Sequence, residues 1–169
     1  MKPRLLIGVI TVMGVLIAVA ILFAMQRSSF GVGFLQQFAP LALPSSTLAQ
    51  NLESGDTDLV RESLGILADR RDPIAVQRAL PLLQSQDDYI WLNAAHYLGA
   101  VGRAEAVPYL IKAFRHTAWL SDSERVRYLQ SITGQSFTAD FRVWSNWWAT
   151  TYTNATFDFD GHLGPIPRR

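Results

Sequence analysis

The chain has 169 residues, 49% of them hydrophobic and 17% charged, with a formal net charge of +1 and no cysteine. That length holds one domain and an anchor, not two full domains. Absence of cysteine excludes disulfides, thiolate metal sites and cysteine nucleophiles, and the near-neutral balance excludes the basic footprint of a nucleic-acid binder.

The charge is unevenly placed. No acidic residue precedes Glu53, and the first fifty residues carry only Lys2, Arg4 and Arg27. The remainder is slightly acidic, so a lightly basic end joins a slightly acidic domain.

Residues 5–25, from Leu5 to Met25, contain Thr11 as their one polar side chain. A helix of that length spans about 31 Å, against a hydrocarbon core of about 30 Å. Backbone groups in lipid must be satisfied within the segment, so a single transmembrane helix is expected, with residues 1–27 as the anchor. Ala18-Val19-Ala20 offers a signal-peptide cleavage match, but the apolar run continues past it to Met25. Lys2 and Arg4 precede the segment and Arg27 follows it. The positive-inside rule therefore puts the N-terminus in the cytoplasm and the domain on the opposite side.

Residues 28–55 are expected to be an apolar linker. Phe30, Phe34, Phe38 and Leu41 fall on one helical face, as an interfacial helix or a packing segment would place them. Gly31 and Gly33 weaken that helix, Pro40 and Pro44 end it, and Pro44-Ser45-Ser46-Thr47 reads as a turn and spacer.

From Asp56 to residue 150 apolar residues recur every three or four positions, which predicts six helices. The first has Asp56 or Thr57 as cap and Leu59, Leu64 and Leu67 as core. Asp72-Pro73 opens the second, over Val76, Ala79, Leu80 and Leu83. Asp87 or Asp88 caps the third, which carries Ile90, Ala94, Ala95 and Leu98 and closes at Gly102. The fourth carries Val107, Leu110, Ile111 and Phe114. Ser121 and Glu124 form a capping box for the fifth, over Val126, Leu129 and Ile132 to Gly134. The sixth begins near Thr138 and runs through Phe141, Trp144, Trp147 and Trp148. Short connections make consecutive helices antiparallel neighbours. Residues 151–169 read as a solvated tail.

Helices one and two superimpose on three and four at a shift of 31. Leu59 falls on Ile90, Leu67 on Leu98, Ala75-Val76 on Ala106-Val107, and Leu83 on Phe114. Such a period marks a helical solenoid. The stretches Ala94-Ala95-His96-Tyr97-Leu98-Gly99 and Ala106-Val107-Pro108-Tyr109-Leu110 resemble a HEAT-like repeat of the phycobilisome-lyase type. Ile132-Thr133-Gly134-Gln135 with Trp144 and Trp147-Trp148 resembles an ending of bacterial HEAT-repeat proteins. The resemblance covers about residues 57–150. It implies an all-α fold, a short right-handed α-solenoid of about three antiparallel hairpins behind one transmembrane helix. The motif describes packing, so it transfers fold and not activity.

No pattern of catalytic, cofactor or metal-ligating residues emerges. His96, His116 and His162 share no ligand spacing, no serine occupies a nucleophile elbow, and Gly31-Val32-Gly33 is not a phosphate loop. Asp158-Phe159-Asp160-Gly161 lacks most of a calcium loop, and Asn154-Ala155-Thr156 is a bare glycosylation acceptor. The candidate partner-binding residues are Trp91, Trp119 and Trp148, as exposed aromatic anchors, with Arg78, Tyr109 and Lys112 lining a mildly basic groove that Arg142 extends. The expected function is a non-catalytic, membrane-tethered protein–protein interaction scaffold, whose partner is a membrane protein or complex. The alternatives are a small accessory subunit of a membrane assembly and, through the resemblance alone, a chromophore-lyase-like protein.

Overall fold

A computed structural model describes residues 3–38, 43–115, 121–152 and 157–159, with side chains from Gly14 onward except that of Phe38. Among these residues there is no strand, and the α-helices are α1 (Pro3–Met25), α2 (Ser29–Phe38), α3 (Ser45–Asn51), α4 (Thr57–Arg70), α5 (Val76–Ala79), α6 (Asp88–Ala100), α7 (Val107–Ala113), α8 (Asp122–Thr133) and α9 (Phe141–Thr151). Contacts divide the chain into two compact units, Met1–Ser63 and Leu64–Arg169.

In the first unit, α1 is helical over 23 residues. Among the described residues no single helix is long and apolar enough to cross a membrane. Gly14–Met25 and Ser29–Gln37 reach that length only as a pair bent by 107°. The bend is tight, since a Cβ on Gly31 would overlap the Met25 carbonyl oxygen. Glycine is what lets the two backbones touch there. The segment expected to be an apolar linker carries two helices, α2 and α3. Ser45–Asn51 forms α3 instead of a spacer, with Pro44 at its N-cap, and Leu43, Leu48, Ala49 and Leu52 are buried. The buried Asn51 amide donates to the Gln26 carbonyl at 2.9 Å and so ties α3 to the end of α1. On α2 the buried side chains are those of Val32 and Leu35 among the described residues, whereas Phe30 is 80% exposed and stacks on the exposed Phe34 at 6.5 Å. Leu41 lies outside the described residues.

In the second unit the helices pack hairpin on hairpin. The segment 73–84 packs on α6, α6 packs on α7 and α8, and α7 packs on α8 and α9. The expected second helix is broken: Pro73–Ala75 and Pro81–Gln84 are 3-10 turns around the short α5. Pro81 has no N–H to continue the ladder, which limits α5 to one turn. Gly99 sits where α6 meets its neighbours, because a Cβ there would stand 3.0 Å from Leu110 Cδ1 and 3.3 Å from the Tyr128 ring. Leu98, Ala94, Ala95, Leu110, Ile111, Leu129 and Trp144 are all buried as the periodicity requires.

The repeat shows in local geometry more sharply than in core residues. At the shift of 31, Asp56 caps α4 by accepting from the Leu59 amide, and Asp87 caps α6 by accepting from Tyr89 and Ile90. Two residues before each cap, Ser54 and Ser85 accept the aspartate's own amide, both at 3.1 Å. After each helix one residue turns left-handed, Arg71 (φ 50°) and Gly102 (φ 76°). A 3-10 turn follows each, at Pro73–Ala75 and Ala104–Ala106. Glycine takes that conformation without strain, whereas at Arg71 the surrounding turn must hold it.

Candidate functional site

Three of the expected partner-binding residues come together on α6 and α7. Trp91, on α6, is not the exposed anchor expected of it. It is 2% exposed and forms a core cluster with Leu92, Ala113 and the half-buried Tyr109. Its ring centroid lies 6.3 Å from that of Tyr109, and its indole N–H donates to Asp88 at 2.9 Å. The packing of neighbouring segments around α6 explains the burial: α6 is covered on all sides from Ile90 to Gly99, so no position there offers a large side chain to solvent.

Lys112 is also a correction, at 5% exposed. Its ammonium lies 5.2 Å from the Trp91 ring centroid. Burial lowers its pKa, opposed by Asp158 and Asp88. The Tyr109 hydroxyl accepts from the Gln84 amide, and burial raises its pKa. Arg115, half-buried at the end of α7, places its guanidinium 5.3 Å from the Phe141 ring centroid. Of the expected row, Tyr109 and the buried Lys112 lie together on α7, beside Arg115, which was not part of it. Arg78 is exposed on α5 and Arg142 on α9.

The aromatic C-terminal helix forms a separate cluster. Trp144 is buried, donates to the Thr138 carbonyl at 2.9 Å and meets Phe137 edge-on at 5.0 Å. Trp148 is half-buried and lies against Tyr152, with ring centroids 4.3 Å apart. Its indole nitrogen is enclosed without an acceptor among the described residues. Trp119, His116, His162, Asn154 and Thr156 lie outside the described residues.

The tail expected to be solvated contributes directly to the α7 surface. Phe157 meets Tyr109 edge-on at 4.9 Å, and Phe159 meets Phe141 edge-on at 5.7 Å. The two phenylalanines contact each other at 5.0 Å. Their alternation with Asp158 was a signal in the sequence, since apolar residues two apart share one side of an extended segment. The helical periodicity that reveals the repeats is blind to it.

His96 joins the second hairpin to the third. It is buried, and its Nε2 lies 3.2 Å from the Tyr128 hydroxyl. Burial lowers its pKa, with Glu124 and Asp69 opposing and Arg125 and Arg127 adding to the shift. Arg125 is buried too, pairs with Asp122 at 2.7 Å and lies near the Phe114 ring.

Repeated helix pairs with matched caps, matched left-handed turns and hairpin-on-hairpin packing define a helical repeat protein. The chain belongs to the HEAT-repeat family, whose family model, described as HEAT repeats, matches residues 45–129. The match begins at α3, within the segment expected to be a linker. No curated protein and no solved structure matches the chain.

Proposed function

We propose that this protein is a non-catalytic, membrane-tethered interaction scaffold that holds a segment of a membrane protein or membrane complex. HEAT repeats commonly mediate protein–protein interaction. The observation that supports the tether is the surface of α1. Val15, Leu16, Ile17, Val19, Ile21 and Phe23 are each 55–63% exposed, on several faces of one helix. Water penalises such a surface by roughly 25 cal/mol per Å2, so a helix of this kind is covered by lipid or by another protein. The exposed pair Phe30 and Phe34 continues the apolar surface beyond the bend, as the apolar face of an interfacial helix would.

In this reading the N-terminus is cytoplasmic and the repeats face the opposite compartment, because Lys2 and Arg4 outnumber Arg27 at the flanks. Tethering concentrates the repeats at the bilayer and makes weak contacts with membrane partners effective. The same exposed surface favours a second reading, a small accessory subunit whose α1 and α2 are themselves the contact.

Alkaline carbonate extraction of membranes carrying the full chain, combined with protease protection, tests the tether. Retention in the pellet, with the repeats protected from protease added at the cytoplasmic side, is expected. Release into the supernatant would overturn it. Photocrosslinking from α2 and from α7 in the same membranes then separates the readings. Adducts from α7 support the scaffold, and adducts from α2 alone support the accessory subunit.

A further inference from the structure

The geometry points to the surface of Tyr109, Lys112, Arg115 and Phe141 as a receptor for an aromatic–acidic–aromatic segment, which Phe157-Asp158-Phe159 of the same chain occupies in cis. The inference rests on the scaffold reading and deepens it, because it names the chemistry of the segment held. The partner is a protein segment carrying two aromatic side chains around one carboxylate. It binds by replacing the chain's own copy.

Three observations carry this. The first is the pairing of rings. Phe157 stands edge-on to Tyr109 (79°) and Phe159 edge-on to Phe141 (83°), so each tail ring meets one ring of the surface. Edge-to-face pairs at these separations add attraction beyond area burial. The second is charge. Asp158, between the two rings, interacts with Lys112, and Arg115 lies beside Phe141. An ammonium drawn out of water gains from a nearby carboxylate, which gives the site a preference for an acidic residue between the aromatics. The third is that one ring of the surface, Tyr109, is held in place from behind. Tyr109 is fixed by the Gln84 amide and the Trp91 ring, both independent of the tail.

A cis segment of three residues is a weak plug. Its effective concentration is on the order of millimolar, so a partner of higher affinity or a clustered partner displaces it. The arrangement therefore discriminates against weak encounters and still leaves the site available.

The test uses the full chain in detergent and a fluorescent peptide of the chain's own residues 155–161, Ala-Thr-Phe-Asp-Phe-Asp-Gly. In the variant carrying Phe157→Ser and Phe159→Ser the surface is vacated. That variant is expected to bind the peptide at least about tenfold more tightly than the unaltered chain. A peptide with lysine in place of the first aspartate should bind it about tenfold more weakly, or roughly 1.4 kcal/mol. Tyr109→Ser in the vacated variant should abolish binding. A thermal melt confirms that each variant is folded, and the single variant Phe157→Ser serves if the double one is not. A folded variant that binds no peptide, or binds the lysine peptide equally well, overturns the inference. Loss of peptide binding with α7 adducts retained in membranes overturns this assignment alone. Absence of α7 adducts overturns the scaffold reading beneath it.

Discussion

Removing one oxygen atom, by Tyr97→Phe, tests the joint between the first and second hairpins. Tyr97 is buried on α6, and its hydroxyl donates to the Asp72 carbonyl at 2.7 Å while accepting from the Ala75 amide at 3.1 Å. The substitution keeps the ring and its packing. It leaves the amide of the fully buried Ala75 without an acceptor, which costs about 1–3 kcal/mol. The Asp72 carbonyl belongs to a half-buried residue and can turn to water, so its loss adds about 0.5–1.5 kcal/mol. The expected total is roughly 2–4 kcal/mol, comparable to deleting part of a buried aliphatic side chain. Urea denaturation of the full chain in detergent, followed by tryptophan fluorescence, measures it. Amide exchange should also accelerate at Ala75 before it does at the centre of α6. A loss below about 0.5 kcal/mol, with exchange at Ala75 unchanged, would show that Tyr97 is held by packing alone.

Three further outcomes are expected. Leu98→Ala empties a fully buried position in the last turn of α6 and should cost about 2–5 kcal/mol in the same denaturation experiment. His96 has a depressed pKa, so its folded form resists the proton that the unfolded chain accepts near 6.5. At pH above that value the shift changes nothing, and stability falls as pH drops below it. His96→Gln should flatten this fall between pH about 7 and about 5, and an unchanged slope in urea titrations would assign the fall to other groups. Gly31→Ala places a methyl group 2.6 Å from Met25 Cα, which forces the α1–α2 bend open. Electron-spin distances between labels at Leu22 and Phe34 should lengthen, and unchanged distances would mean the turn absorbs the methyl group.

What was legible in the sequence is what neighbouring residues decide among themselves. Asp56, Asp72, Asp87, Ser121 and Gly134 act at helix ends through bonds spanning a few residues, and each does so in the structure. The 3.6-residue period picked out Ile90, Ala94, Ala95 and Leu98 on α6 and Leu129 on α8, all buried, but not Arg125 and Tyr128, which are buried on α8 while Val126 and Ile132 are only half-buried. The 31-residue shift follows from the same local signals, and the Ser-x-Asp pair before α4 and α6 would have fixed it independently.

Other features depended on what lies opposite a residue in space. Trp91 and Lys112 read as surface residues because their positions fall beside the predicted stripe. α6, however, is covered on every side, and on α7 every residue from Val107 to Ala113 except Tyr109 is buried, so Trp91 and Lys112 were both drawn into the core. α3 was hidden because Pro44-Ser45-Ser46-Thr47 has turn composition, and only the burial of Leu48 and Asn51 makes a helix favourable there. The tail carries no helical period, and its role at Tyr109 and Phe141 arises from contacts 48 and 18 residues away in sequence. The sequence by itself determined where helices begin, end and repeat, because capping and periodicity are short-range. Only the tertiary structure decided which aromatic and charged side chains remain at the surface, because burial depends on every element that packs against them.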